Sequence, residues 1–204
     1  MKWTKEAIIQ LLRDLRINKL TDHWDIRHCG RCPKEVEVCS GASKICLVFP
    51  GVPYVVKWST GNYNEAMREV EIYQDAIGKN LEKFFPSTEF LVTINDVDFV
   101  MQEKIDESAG ELELFKKKKY QRISKTALDR IVRKMQKEIN KAAPSYSRTL
   151  DPTWAKMALV IYGKNTCKTL CEFIIAHSIN DLHKHNIGYK KGKPIILDFS
   201  GYNR

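Results

Sequence analysis

No apolar run in this 204-residue chain is long enough to cross a bilayer as a helix. The longest stretch without a charge, Ile45 to Val56, holds twelve residues broken by Pro50, Gly51 and Pro53, against the roughly twenty that a span requires. Glycine and proline are scarce, at 10 and 7 residues, and no internal period recurs, which excludes collagen, low-complexity and repeat architectures. Charges interrupt the apolar pattern of the first sixteen residues and no small-residue cleavage site follows, so no secretory signal is expected and a cytoplasmic location is. Cysteine is limited to positions 29, 32, 39, 46, 167 and 171, with Cys29-Gly30-Arg31-Cys32 the one CxxC pair. A structural zinc site usually needs a second pair or two suitably spaced histidines. His23 and His28 lie nearby, so zinc stays open beside the plainer expectation of a turn with small buried thiols.

What is present is ordinary globular composition, 43% hydrophobic and 29% charged. At this length a chain buries about 70% of its unfolded surface, enough for one compact unit or two small lobes. The 34 basic and 25 acidic residues give a net charge of +9. Between Lys116 and Arg148 twelve residues are basic and two acidic, an excess of ten in that segment alone. Such a segment is either the solvated face of a helix or a surface for an acidic or phosphate-rich partner, nucleic acid included. It carries no aromatic platform for single strands.

Residues 3 to 17 place Ala7, Ile8, Leu11, Leu12 and Leu15 at helical spacing behind a Thr4 cap. Three short β-rich runs follow, Glu35 to Cys39, Lys44 to Phe49 and Tyr54 to Trp58, which read as successive antiparallel strands. Asn64 to Ile77 predicts a helix with Ala66, Val70, Tyr73 and Ile77 on one face and Gly78 as its stop. Phe90 to Ile94 and Phe99 to Gln102 predict a hairpin turning at Asn95-Asp96. The second half is mainly helical: Ser124 to Ala142 carries a stripe of Leu128, Val132, Met135 and Ile139, and Cys167 to Ile179 another. Two last strands, Ile187 to Tyr189 and Ile195 to Leu197, flank Lys190-Lys191-Gly192-Lys193.

The chemistry gathers near the end, in Asp181-Leu182-His183-Lys184-His185-Asn186-Ile187-Gly188 and Ile195-Ile196-Leu197-Asp198-Phe199-Ser200-Gly201. Phosphoryl transfer explains that spacing. One carboxylate, Asp181, would orient a hydroxyl and take its proton, while the Asn186 amide and the Asp198 carboxylate would hold Mg²⁺. These motifs resemble the protein-kinase-like superfamily, and the Asp-Leu-His-x-x-Asn-x-Gly form is more similar to its phosphotransferase and bacterial or phage branches than to the eukaryotic His-Arg-Asp form. Asn180 stands where that form has Arg. Asp198-Phe199-Ser200-Gly201 is similar to the metal-binding Asp-Phe-Gly with one residue inserted.

The resemblance extends to the first half. Tyr54-Val55-Val56-Lys57 resembles the third-strand Val-Ala-Ile-Lys, which implies that Lys57 contacts the α- and β-phosphates. On the following helix the resemblance implies Glu69 as the partner of Lys57, with Glu65 and Glu71 in reserve. Glu65 and Glu69 share a helix face, so the sequence leaves the choice open. Ser40-Gly41-Ala42-Ser43-Lys44 corresponds to the phosphate-covering loop with one glycine in place of three, so that Gly41 and Ser43 would approach the nucleotide. The backbone of Gln102, Glu103 and Lys104 would form the hinge that holds adenine. His183 is expected to stabilise its loop and His177 to pack on its helix.

The implied fold class is α+β, a protein-kinase-like two-lobe fold with an antiparallel five-stranded N-lobe sheet and a reduced helical C-lobe. Residues 1–103 would form the nucleotide-binding lobe with its leading helix, and 104–204 the helical lobe with a basic insertion at 116–142. Three residues follow Gly201 and Asp181 stands 78 positions after Glu103, so the reading expects no activation segment and a lengthened hinge-to-loop connection. The implied activity is ATP- and Mg²⁺-dependent transfer of a γ-phosphoryl group to a hydroxyl of a protein or small molecule. The rival is a catalytically weak pseudokinase-like regulatory module, and a nucleic-acid-binding protein acting through the basic segment is a third class.

Overall fold

The computed structural model describes residues 3–41, 43–61, 64–105, 124–141, 150–179 and 182–200. The chain divides into two units, Met1–Ile77 with Ser87–Lys104, and Gly78–Pro86 with Ile105–Arg204. It is a mixed α+β protein, and the expected five-stranded antiparallel sheet is present.

In the first unit, helix α1 (Lys5–Asp14) begins at Thr4, whose Oγ1 accepts from the Ala7 N–H at 3.2 Å, and buries Ile8, Leu11 and Leu12. A second helix, α2 (His23–His28), starts at a reciprocal capping box between Asp22 and Asp25. Strands β1 (Glu37–Ser40), β2 (Lys44–Val48), β3 (Tyr54–Ser59), β4 (Thr88–Ile94) and β5 (Val97–Glu103) form one sheet in the order β1-β2-β3-β5-β4, antiparallel throughout. The β4–β5 turn is Asn95-Asp96, both residues at positive φ (50° and 59°), the two-residue arrangement that matches strand twist.

Alternation divides the sheet into two faces. Ile45, Leu47, Val56, Trp58 and Phe99 join Ile8, Leu12 and Ile17 in a continuous apolar core on one. The register sets Cys46 opposite Lys57, Lys44 opposite Ser59, Lys57 opposite Val100 and Val55 opposite Gln102, so Lys44, Lys57 and Gln102 share the other. Helix α3 (Glu65–Gly78) sends its side chains to this second face, and there the structure corrects the sequence expectation. Its buried positions are Ala66, Glu69, Ile72 and Ala76, whereas Ile77 is 44% exposed. A carboxylate displaces an apolar stripe because cations await it.

In the second unit, a 3₁₀ turn (Glu82–Phe84) precedes helix α4 (Lys125–Lys141), whose buried residues are the expected Leu128, Val132, Met135 and Ile139. Helix α4 packs along α5 (Pro152–Ala176), with Lys156 Nζ 2.6 Å from Asp129 Oδ1. Helix α5 begins fifteen residues earlier than the sequence reading placed it. Trp154, Ala155, Met157, Ala158, Leu159 and Val160 are all buried, so this half is apolar around its circumference and shows no stripe. Gly163, at φ 82° and ψ 168°, breaks the helix. Strands β6 (Ile187–Lys190) and β7 (Lys193–Ile196) close a hairpin over Lys191 and Gly192. Among the described residues, no helix is long and apolar enough to cross a membrane.

Candidate functional site

Lys44 at the start of β2 and Lys57 on β3 are diagonal neighbours on one sheet face. Both reach Glu69 of α3, which is fully buried. Lys44 Nζ lies 2.7 Å from Oε1, Lys57 Nζ 3.5 Å from Oε2, and Gln102 Nε2 donates to Oε2 at 3.1 Å. Gln102 also donates to Thr88 Oγ1 at 3.2 Å. Glu65, one turn earlier on α3, is 4.0 Å from Lys44 and accepts a hydrogen bond from Ser43 Oγ. Two ammonium groups and two carboxylates thus stand together, Lys44 and Glu69 buried and Lys57 and Glu65 partly exposed. A buried charge is tolerated only with partners of this kind. Burial pushes the neighbouring Cys46 thiol up to about 12, with Lys57 pulling weakly the other way.

Of the residues named from sequence, Lys57 and Glu69 therefore meet, and Glu69 rather than Glu65 or Glu71 is the carboxylate between the two lysines. Lys44 and Thr88 were not foreseen as members of the cluster. Gln102 enters through its side chain. The N–H groups of Glu103 and Lys104 donate within the sheet, to the carbonyls of Ser87 (2.8 Å) and Pro53 (2.9 Å). The loop between β1 and β2 is short, closed by the Gly41 N–H on the Lys44 carbonyl at 2.9 Å. A Cβ on Gly41 would meet only that carbonyl oxygen, at 3.9 Å, so the position does not demand glycine. Ala42 lies outside the described residues.

No family model matches the sequence, and no curated protein matches it. The structure has a weak likeness, at a TM-score of 0.31 and 13% identity, to the streptomycin-ATP-APH(2")-IIa ternary complex, covering 98% of this chain and 72% of that one.

In the second unit the β6–β7 hairpin sets Asn186 beside Leu197 and Asp198 at its open end. The Asn186 carbonyl accepts from the Leu197 N–H at 2.8 Å and from the Asp198 N–H at 3.5 Å, and both residues are half-buried. Ser200 Oγ donates to Asp198 Oδ1 at 3.4 Å. His183 Nδ1 accepts from the His185 N–H at 3.2 Å, tightening the turn before β6. His177 packs on Phe173 of its own helix, ring centroids 4.3 Å apart. Asp181, with Asn180 and Gly201, lies outside the described residues.

On α4, Arg130, Arg133, Lys134, Lys137 and Lys141 are exposed on the side away from its buried stripe. Residues 116–123 and 142–148 of the basic segment lie outside the described residues. At the CxxC turn Cys29 is exposed, contrary to the expected buried thiols. It caps α2, and its Sγ donates to the Ile26 carbonyl at 3.1 Å.

Proposed function

We propose that this protein is a kinase-like phosphotransferase that transfers the γ-phosphoryl group of ATP, with Mg²⁺, to a hydroxyl of a protein or small molecule. The observation that carries the reading is the strand-to-helix ion pair of Lys57 and Glu69, in a sheet whose order places the helix-bearing connection after β3. In this reading Lys57 neutralises nucleotide phosphates, and Glu69 fixes the position of its ammonium. Asp181 would orient the acceptor hydroxyl and accept its proton. Asn186 and Asp198 offer an amide and a carboxylate oxygen, a donor set suited to a hard cation that otherwise keeps water and phosphate oxygens. Bound there, Mg²⁺ would neutralise charge on the transferring phosphoryl group. The domain roles follow: the unit holding the sheet binds the nucleotide, and the helical unit supplies the acceptor and metal residues.

A regulatory module without turnover is the second reading. The short single-glycine loop and the engagement of the Glu103 and Lys104 amides inside the sheet favour it, since adenine would need other donors. The exposed basic face of α4 is the basis for proposing an acidic or phosphate-rich partner.

Calorimetry and ADP release separate the readings. MgATP should bind the wild type and lose affinity in Lys57→Met. ADP formation should vanish in Asp181→Asn and Asp198→Asn. Binding without ADP release favours the regulatory module, and no binding overturns both.

A further inference from the structure

We infer that Lys44 is the standing counter-ion of Glu69 and so a positioning residue for Lys57, an inference that rests, for its ligand, on the phosphotransferase reading. Its basis is a single charge shared unequally. Glu69 is fully buried, and the nearer of its two ammonium partners is not the β3 lysine but Lys44, at 2.7 Å against 3.5 Å. Lys44 is itself 8% exposed, with a second carboxylate, Glu65, at 4.0 Å. Gln102 holds the other oxygen of Glu69.

The consequence is electrostatic. A lysine that is the sole counter-ion of a buried carboxylate cannot turn toward a phosphate without stranding that carboxylate, which is costly. With Lys44 and Gln102 in place, Glu69 keeps a charged partner and a hydrogen bond when the Lys57 ammonium bonds an anion. Lys44 thus lowers the cost of phosphate capture by a neighbouring residue, and the anion it serves is the polyphosphate of a nucleotide. Lys44 acts through Glu69 and does not itself touch the ligand.

Two measurements on the full chain test this. First, double-mutant cycles in urea unfolding, using Lys44→Met, Lys57→Met and Glu69→Gln, need no nucleotide. The Lys44–Glu69 coupling should exceed the Lys57–Glu69 coupling, and equal or reversed couplings overturn the inference. Second, MgATP titration of Lys44→Met should give a dissociation constant raised on the order of tenfold, the loss expected for one charge-assisted contact. Lys44→Arg should restore affinity. Glu69→Gln should weaken MgATP binding by a similar factor, and combining it with Lys44→Met should add little further loss, because the lysine acts only through that carboxylate; circular dichroism checks that each variant folds. If the two losses add in full in a folded double variant, Lys44 acts on the phosphate independently of Glu69 and the positioning role is wrong. If Lys44→Met lowers the melting temperature but leaves MgATP affinity unchanged, the role is structural and the inference fails. A wild type that ignores MgATP while the couplings keep their order overturns the phosphotransferase reading and leaves the counter-ion assignment standing.

Discussion

The indole N–H of Trp154 donates to the carbonyl of Ile195 over 3.1 Å, and both residues are buried. This bond ties the first turn of α5 to β7, in the hairpin at whose open end the Asn186 carbonyl meets the Leu197 and Asp198 N–H groups.

Trp154→Phe should therefore cost about 1–3 kcal/mol, the penalty for leaving a buried carbonyl without its donor. Trp154→Ala should cost about 3–5 kcal/mol through the added cavity. Urea unfolding followed by near-ultraviolet circular dichroism would measure both, and a Trp154→Phe variant as stable as the wild type would remove the hydrogen bond from the account.

Glu69 and Glu65 are one helical turn apart and should respond very differently. Glu69→Ala removes the buried carboxylate that both lysines contact, at a cost of about 3–5 kcal/mol. Glu65 is partly exposed and 4.0 Å from Lys44, so Glu65→Ala should cost about 1 kcal/mol or less. The reverse order in chemical denaturation would mean that the charge cluster is arranged otherwise.

Burial raises the Cys46 and Cys167 thiols from the usual 9.0 to about 12 and that of Cys171 to about 11. Below about pH 9 they are protonated in both folded and unfolded chains, and stability is unaffected. As pH rises from 9 toward 11 or 12, the unfolded chain releases protons that the folded chain keeps. Stability then falls by as much as about 1.4 kcal/mol per pH unit for each thiol. Cys46→Ala should flatten that slope. At neutral pH iodoacetamide should label exposed Cys29 well before Cys46, Cys167 or Cys171, a ranking that mass spectrometry can read.

Gly163 has a backbone conformation almost exclusive to glycine, φ 82° and ψ 168°. Gly163→Ala should cost about 1–3 kcal/mol although its Cβ would meet nothing within 4 Å. Gly78→Ala, at the end of α3 with open space and no positive φ, should be neutral or gain about 0.4–1 kcal/mol. Equal effects at the two glycines would count against the strain argument.

The sheet and α4 were legible because their signals are local: alternation, turn residues and a clean amphipathic stripe. Lys44 was legible in principle. With a four-residue connection from Pro50 to Pro53, pairing Phe49 with Tyr54 puts Cys46 opposite Lys57, and hence Lys44 diagonal to it on the same face, as in the observed register. The face of α3 was not legible, since burial of Glu69 is decided by lysines on other strands. The first half of α5 carried an Asp151 cap and Pro152 at its start, but burial on every side removed the periodicity that usually reveals a helix. Helix α2 is six residues long, too short for a period and marked only by Asp22 and Asp25.

The interval between Asn186 and Asp198 is the contour of a hairpin: two four-residue strands, a two-residue turn and Leu197. That makes the spacing a mechanical gauge. Lengthening one arm by a single residue would invert the facing of everything beyond it, whereas one residue added to each arm preserves the pairing. The hairpin can therefore be stretched only in matched increments if the Asn186 carbonyl is to keep meeting the Leu197 and Asp198 N–H groups.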